Sequence, residues 1–472
     1  MKNRATAAIS NPQEWDGIPM PRRLLAILAI MSAVSLAVLD GVIVNIALPT
    51  LCSRLNISAS ESIWIINAYQ IAVVVSLLIF STLGDFVGYR RIYISGLCLF
   101  TLMSVGCALS WDFESLVVCR MLQGLGASAV MSINISIVRL IYPRRMLGRG
   151  IGLNSTVVSV SAVMGPTIAT AILSVADWQW LFAINLPLGL LAITLGYLFL
   201  PHNVAYQDIR YFHWRDALLN ALSFGLLFAV VTGVSHGVEW WILAIELAVG
   251  VVVWYQFVRS QLRRTLPLLP FDLLRIPLFS LSLTTSILIF VAQMSIIVAM
   301  PFILQHQYGF SPIDVGLVLT AWPAVNMVTT PISGFLVERV HAARLGCCGL
   351  VVMLCGLVSL LFLPDAPTHW DFIWRLALSG FGFGVFQAPN NSLVISSAPI
   401  QRSGSASGMM ATSRLVGQIS GASAVAMLFY ILPSERSSEI FYMSIAFAAL
   451  ATLISFSRLS LPLPESLRVA RR

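Results

Sequence analysis

Fourteen apolar runs, most of them about twenty residues long, fill the chain from Arg22 to Leu461 and are separated by short loops. A bilayer core about 30 Å thick needs roughly 20 apolar residues per helix, so almost nothing remains for a soluble domain. Hydrophobic residues make up 58% of the chain and charged residues 10%, far from globular averages. We therefore predict an all-α polytopic membrane protein with spans at 23–49, 62–83, 92–110, 115–139, 149–174, 180–200, 216–235, 239–258, 278–304, 312–336, 345–364, 370–396, 405–430 and 439–461.

Positive charge is distributed unevenly among the predicted loops. Of the 28 Lys and Arg residues, only Arg54 and Arg436 occupy the loops on one side, whereas most lie in the opposite loops and the two terminal segments. Cationic loops resist translocation, which predicts that both termini are cytoplasmic. The net charge of +8 is then explained by these loops and requires no nucleic-acid partner.

A short motif recurs at the ends of the second and tenth spans. The first copy contains Asp85, Gly88, Arg90 and Arg91, and the second contains Glu338 and Arg339. We interpret these acidic and basic residues as a conformational latch between helices; a weak surface ion pair is the alternative. The recurrence indicates two six-helix halves with two inserted helices. The predicted organisation is an N-terminal segment (1–22), a first half (23–200), a linker with two extra helices (201–277), a second half (278–461) and a tail (462–472).

Motifs in five spans carry a family resemblance. They are Leu39–Pro49 in span 1, Leu116 to Ala127 with Arg120 and Gln123 in span 4, Gly165 and Pro166 in span 5, Trp178–Pro187 at the start of span 6, and Arg414 to Gln418 in span 13. In this order they resemble the major facilitator superfamily, in particular its fourteen-span drug:proton antiporter branch. The resemblance implies the major facilitator fold, a multi-pass location in the plasma membrane (the bacterial inner membrane) and export of small compounds in exchange for protons.

Asp40 and Glu246 are the acidic residues that we place well inside spans. A carboxylate in hydrocarbon costs roughly 2.5–3.5 kcal/mol, so it is expected to face a cavity or a partner. The depths of Asp40 in span 1 and Arg120 in span 4 permit a pair, to which we assign proton coupling; a static ion pair is the alternative. Glu246 lies in the inserted helices, where helix pairing and a transport role both stay open.

Other residues inside the spans suggest further roles. The resemblance implies that Gly165 and Pro166 form a hinge or seal, with an ordinary membrane proline as the alternative. Arg414 lies near the middle of span 13 and either attracts anionic groups or binds carbonyls, whereas Arg375 is expected to extend to the interface. Polar and aromatic side chains are predicted to line a substrate cavity: Asn45, Trp64, Asn67, Gln70, Gln293, Asn326, Gln387 and Arg414.

The leading hypothesis is a proton-coupled antiporter that exports small amphipathic, cationic or lipophilic compounds by alternating access. The alternatives are an exporter of one endogenous metabolite, such as a siderophore, and a non-transporting membrane sensor. No phosphate-binding loop or nucleophile motif supports an enzyme, and no cofactor or metal is expected. The expected partners are a small-molecule substrate, protons and the lipid bilayer, without nucleic acid; a periplasmic adaptor is left open.

Overall fold

The computed structural model describes residues 17–143, 146–202, 212–235, 238–264, 267–337, 339–399, 402–432 and 437–461. Within these ranges the chain forms fourteen long helices and no strand. They are α1 (Arg22–Leu55), α2 (Ala59–Val87), α3 (Tyr89–Ala108), α4 (Phe113–Ile141), α5 (Leu147–Val175), α6 (Trp180–Ala183 and Asn185–Phe199), α7 (Trp214–Ser235), α8 (Trp240–Leu262), α9 (Pro277–Phe302), α10 (Pro312–Val337), α11 (Ala342–Ser359), α12 (His369–Ser397), α13 (Ser403–Ile431) and α14 (Ser437–Ser457).

Each predicted span coincides with one of these helices. Thirteen of them are long and apolar enough to cross a membrane, and α12 is the exception among the described helices. This helix carries Asp371 and Arg375 in its first two turns and Gln387, Asn390 and Asn391 further along, which lowers its hydropathy. The count of fourteen spans and the cytoplasmic location of the termini therefore remain predictions, and the terminal segments 1–16 and 462–472 lie outside the described residues.

Glycines permit close contact at two kinds of position. Gly88 is the single non-helical residue between α2 and α3, and its φ of 100° lies in the region that only glycine enters without strain. On helix faces, a Cβ at Gly126 of α4 would lie 2.7 Å from the Gly96 carbonyl of α3. A Cβ at Gly382 of α12 would likewise lie 2.5 Å from the Gly349 carbonyl of α11. Small residues therefore allow the backbones of both helix pairs to approach closely, as is usual in membranes.

Contacts divide the chain into two compact units. The first comprises residues 1–44, 64–162 and 175–224, and the second comprises 45–63, 163–174 and 225–472. In the first unit, α3 packs against α4 and α6. In the second unit, α12 packs against α10 and α11, while α9 packs against α13 and α14. The predicted boundaries of the two halves and of the linker remain predictions.

A break in α6 determines where Asn185 lies in the helix. Pro187 has no backbone N–H and cannot donate to the carbonyl four residues earlier, at Ala183. The helix is accordingly interrupted at Ile184 and resumes at Asn185. Asn185 therefore begins the longer part of the helix, and its side chain is buried.

Candidate functional site: a buried carboxylate and its donors

Asp40 and Arg120 form a buried ion pair in the first unit. Both residues are 1% exposed. The Nη1 atom of Arg120 donates to Oδ2 of Asp40 at 2.5 Å and to Oε1 of Gln123 at 2.6 Å. Its Nε atom donates to the carbonyl of Ile65 at 3.2 Å. The guanidinium is thus held by a carboxylate, an amide and a backbone carbonyl from three different helices.

Two aromatic rings complete the surroundings of the guanidinium. Its Cζ lies 4.4 Å from the centre of the Tyr69 ring and 5.6 Å from that of Phe182. A cation at these distances is attracted by the negative ring face, more strongly where water is excluded. The Tyr69 hydroxyl is buried and has no hydrogen-bond partner among the described residues. The two rings therefore stabilise the positive charge of Arg120 beside Asp40.

Amide groups satisfy the second carboxylate oxygen. Oδ1 of Asp40 accepts a hydrogen bond from Nε2 of Gln123 at 3.0 Å and one from Nδ2 of Asn185 at 2.9 Å. Both amide nitrogens also donate to Oγ of Ser104, at 2.8 Å and 3.4 Å respectively. Each oxygen of the buried carboxylate therefore has a donor, which compensates for its removal from water.

The sequence anticipated only part of this cluster. Asp40 and Arg120 meet, as their depths in the spans permit, while their role in proton coupling remains a prediction. Gln123 and Asn185 lie within the motifs of spans 4 and 6, but no role was predicted for either side chain. Ser104 went unnoticed, because one Ser in an apolar helix carries no distinguishing signal.

The first copy of the predicted latch motif lies at the junction of α2 and α3. Asp85 accepts a hydrogen bond from the Tyr89 hydroxyl. Arg90 donates to the carbonyl of Tyr197 at the end of α6 and contacts the ring of His202. Burial, together with the positive charges of neighbouring arginines, holds the pKa of His202 below its usual value.

Two further arginines of the predicted latch lie at the surface. Arg91 and Arg339 are exposed, and Glu338 lies outside the described residues. The latch therefore remains a prediction.

The predicted cavity residues are distributed over both units. In the first unit, Asn67 is buried and Trp64 and Gln70 are half-buried on α2. In the second unit, Asn45 is buried, and the half-buried members are Gln293, Asn326, Gln387 and Arg414. Their shared role in a cavity remains a prediction.

Two residues of this predicted cavity differ in how their polar atoms are used. Oδ1 of Asn326 accepts a hydrogen bond from Thr330 at 2.7 Å. Nε of Arg414 is buried without a hydrogen-bond partner in the described part of the chain. Arg414 therefore retains an unused donor, whereas the Asn326 carbonyl oxygen is engaged within its own helix.

Gly165 and Pro166 are both buried in α5. The Pro166 carbonyl accepts a hydrogen bond from Oγ1 of Thr170 at 3.1 Å. A Cβ at Gly316 of α10 would lie 3.0 Å from this carbonyl and 2.5 Å from Cγ2 of Thr170. The turn after Pro166 is therefore in close contact with α10 in the second unit.

The expectation that Arg375 extends to the interface is wrong. The side chain is buried and donates to the carbonyls of Ser359 at 2.9 Å and Phe362 at 3.0 Å, at the end of α11. It also lies 3.3 Å from the Asp371 carboxylate, one turn earlier. Arg375 thus caps a neighbouring helix, because the terminal carbonyls there lack partners within their own helix.

Arg458 is another buried arginine, for which no role was predicted. Its Nη1 donates to Oδ1 of Asn390 at 2.6 Å and to Oγ of Ser282 at 3.1 Å, and its Nη2 donates to Ser455. These bonds join α9, α12 and the end of α14 in the second unit. The described residues contain no group of three or more His, Cys, Asp or Glu that could hold a metal ion.

Comparison with known proteins identifies the family. Residues 30–422 match the model of the Major Facilitator Superfamily. The chain belongs to the Major Facilitator Superfamily. Among solved structures, the fold is similar to that of a D-xylose-proton symporter, with a TM-score of 0.65 and 15% identity over 92% of this chain and 97% of the symporter. The all-helical fold is therefore that of a major facilitator.

Several relatives in this superfamily are transporters. The chain is 49% identical over 447 residues to the uncharacterized transporter YebQ of Escherichia coli K12, covering 95% of this chain and 98% of YebQ. It is 30% identical to the riboflavin transporter RibZ of Clostridioides difficile, over 84% and 86% of the two chains. It is 28% identical to the multidrug resistance protein Stp of Mycobacterium tuberculosis, over 84% and 74%. The protein is a multi-pass membrane transporter of this superfamily.

Proposed function

We propose that this transporter is a proton-coupled antiporter of the fourteen-span drug-exporting branch. Its substrates are small amphipathic compounds, cationic or lipophilic, which it moves across the bacterial inner membrane by alternating access. The single observation that carries the proposal is the buried contact of Asp40 with Arg120 at 2.5 Å. A carboxylate inside a membrane helix is costly and is expected to serve a proton or ion pathway.

Proton coupling follows from the chemistry of this pair. When Asp40 is ionised, it attracts Arg120, and the two charges hold α1 and α4 together. When a proton binds to Asp40, the attraction between the charges is lost and the two helices are free to separate. A conformation that separates them therefore takes up a proton, and the return to contact releases it. Export is coupled to proton movement if the substrate binds to one of these two conformations in preference to the other.

Two further groups belong to the same proposal. The motif at the end of α2, with Asp85, Gly88 and Arg90, acts as a latch that stabilises one conformation. The buried Gly165 and Pro166 in α5 act as a seal against leakage. Similarity to the multidrug resistance protein Stp supports a drug-like substrate.

A second candidate function is export of one specific metabolite. The unused Nε donor of Arg414 favours this reading, because it suits a substrate with acceptor groups. Similarity to the riboflavin transporter RibZ also supports a defined small molecule. This candidate predicts a narrow substrate profile and no transport of cationic dyes.

The deciding experiment compares wild type, Asp40→Asn and Asp216→Asn in proteoliposomes that contain a pH-sensitive dye. Asp216 is a matched control, because it is also buried in a helix of the first unit but lies outside the cluster. Addition of ethidium should move protons in wild type and Asp216→Asn, with at least a tenfold loss in Asp40→Asn.

Two results would contradict the assignment. Proton movement that persists in Asp40→Asn would remove the coupling role of this carboxylate. A wild type that ignores ethidium but moves riboflavin would favour the specific exporter.

A further inference from the structure

A short segment at the start of α1 is packed against the end of α4. It comprises residues 17–23, which we call the N-terminal strap. The backbone N–H of Ile18 donates to the carbonyl of Ile141, the last residue of α4, at 3.1 Å. The last carbonyls of a helix have no partner within that helix, so this bond caps α4. The Ile18 side chain is only 3% exposed, and its apolar packing therefore reinforces the hydrogen bond.

Gly17 fits the strap against the turn that follows α4. Its φ of 76° lies in the region that glycine enters without strain. A Cβ at this position would lie 2.6 Å from the backbone nitrogen of Pro143 and 2.8 Å from the carbonyl oxygen of Ile141. The same turn contacts α5, where a Cβ at Gly150 would lie 2.6 Å from the ring of Tyr142. The strap and α5 thus both lie against this turn, and a glycine permits each approach.

The strap is joined to α1 by a stiff connection. Pro19 and Pro21 have φ angles that are fixed by their rings. The backbone N–H of Arg23 donates to the carbonyl of Pro19 at 3.1 Å, and that of Leu24 donates to the carbonyl of Pro21 at 3.0 Å. Nε of Arg23 also donates to the carbonyl of Ile18 at 2.8 Å. The attachment of Ile18 to α4 therefore fixes the position of the first turn of α1.

The strap and the ion pair attach α1 to α4 at two separate levels. Asp40 lies about 27 Å along α1 from Arg22, and Arg120 lies about 31 Å along α4 from Ile141, at about 1.5 Å per residue. The two levels are therefore about one bilayer core apart. The ion pair depends on the charge of a carboxylate, whereas the strap contacts α4 through backbone hydrogen bonds and apolar packing. Loss of the charge on Asp40 weakens the first attachment and leaves the second unchanged.

We propose that the N-terminal strap is the pivot about which α1 swings away from α4 when the contact between Asp40 and Arg120 opens. The proposal rests on the proton-coupled function proposed above, and it names the end at which the two helices stay together. Gly17 and Ile18 are positioning residues, because they act through α1 and contact neither the proton nor the substrate. A purely structural role would affect stability but would not confine the movement of α1 to one level.

The test measures distances between spin labels in purified protein in nanodiscs, after replacement of the seven native cysteines. The first pair, Gly41→Cys and Val118→Cys, reports on the level of the ion pair; Gly41 has open space at its Cβ position and Val118 is exposed. The second pair, Leu24→Cys and Arg139→Cys, occupies exposed positions near the strap. Asp40→Asn removes the charge that holds the ion pair. We expect it to lengthen the first distance by about 2 Å or more and to leave the second distance unchanged.

Gly17→Ala loosens the strap, because the added Cβ meets backbone atoms and the positive φ becomes strained. Met20→Ala is the matched control, since Met20 belongs to the same segment and its side chain is 64% exposed. Combined with Asp40→Asn, Gly17→Ala should lengthen the second distance by about 2 Å, and Met20→Ala should leave it unchanged. In proteoliposomes, Gly17→Ala alone should raise the proton flux without substrate about threefold or more, because α1 then separates from α4 along its whole length.

Lengthening of the second distance in Asp40→Asn would overturn the pivot. The same conclusion would follow from a second distance that stays at its wild-type value when Gly17→Ala is added. If Gly17→Ala does not fold, Ile18→Ala takes its place with the same expectation, since it removes the buried side chain and retains the backbone N–H.

Failure of the proposed function gives a different pattern. If neither distance changes in Asp40→Asn, the ion pair does not control the separation of the helices, and the coupling role of Asp40 fails. The strap as an attachment is then decided by Gly17→Ala alone. A longer second distance in Gly17→Ala than in Met20→Ala supports the attachment, and equal distances refute it.

Discussion

Arg120 uses the shape of its side chain as well as its charge. The guanidinium donates to Asp40 and Gln123 through Nη1 and to a backbone carbonyl through Nε, and its Cζ lies over the Tyr69 ring. A lysine ammonium is a point charge that cannot reproduce this planar, forked arrangement. We therefore expect Arg120→Lys to retain the positive charge and yet lose at least tenfold in substrate-driven proton flux, because one or more of the buried partners is left without its donor.

The flux of Arg120→Lys is measured in proteoliposomes beside Arg54→Lys, whose exposed side chain tolerates the exchange. Thermal unfolding of both variants reports whether the loss reflects misfolding. Wild-type flux in Arg120→Lys would mean that positive charge alone suffices, and the geometric argument would then fail.

At the scale of residues, a charged side chain inside an apolar run was the feature of the sequence that indicated the site. Asp40 and Arg120 were identified because each is expensive in a membrane, and their depths along two helices agreed. Asn185, Ser104 and Arg458 were missed because their partners lie on other helices, far away in the sequence. Arg375 was assigned wrongly for the same reason: its depth suggested the interface, but the carbonyls that it caps belong to another helix.

At the scale of helices, Gly316 governs how α10 approaches α5. A Cβ at this position would lie 2.5 Å from Cγ2 of Thr170, which is closer than real contacts. Alanine is the better helix former by about 1 kcal/mol, yet Gly316→Ala should destabilise the protein by about 1–3 kcal/mol, because one helix must shift. Gly152 on α5 has open space around its Cβ position, so Gly152→Ala should be neutral or slightly stabilising.

Thermal unfolding in detergent compares the two alanine variants. A lower transition temperature for Gly316→Ala alone is the expected pattern. Equal transition temperatures would show that α5 and α10 can separate at no cost, and the idea of a seal beside Pro166 would lose its support.

The start of α4 offers a pH test that is independent of transport. Oδ1 of Asp112 accepts a hydrogen bond from the backbone N–H of Ser115 at 2.9 Å. Hydrogen bonds from Ser115 hold the pKa of Asp112 below its usual value. A carboxyl with a depressed pKa stabilises the folded state above its unfolded pKa of about 3.9, and the contribution is lost as the pH falls.

Asparagine caps helices as well as aspartate does but does not titrate. We therefore expect Asp112→Asn to match wild type in transition temperature at pH 7 and to lose less stability than wild type between pH 6 and pH 3. Parallel pH dependences of the two proteins would show that this cap does not contribute to acid sensitivity.

The helices themselves were predictable, because each apolar run is long enough to form one and hydrocarbon leaves no other way to satisfy the backbone. What the sequence could not supply was the contact between helices. Gly96 with Gly126 and Gly349 with Gly382 are close pairs, yet small residues are frequent throughout such spans and single out no partner.

At the scale of the whole molecule, the family and its fold followed from ordered motifs, whereas the number of spans depends on one helix. The described part of α12 contains Asp371 and Arg375, which lower its hydropathy. Both charges are compensated: they lie 3.3 Å apart, and Arg375 also donates to two carbonyls at the end of α11. Paired charges with satisfied donors cost far less in a membrane than isolated ones. We therefore expect α12 to span the bilayer despite its composition.

Cysteine labelling decides this point. In a variant without the seven native cysteines, Asp365→Cys before α12 and Pro399→Cys after it are exposed to an impermeant maleimide on intact cells. In the predicted orientation, Asp112→Cys lies on the outer side and His341→Cys on the cytoplasmic side. Both serve as reference positions because each lies between helices that meet the apolar criterion. Asp365→Cys should react from outside like Asp112→Cys, and Pro399→Cys should react only after permeabilisation like His341→Cys. Reaction of both test positions from the same side would reduce the protein to thirteen spans, and its termini would then lie on opposite sides of the membrane.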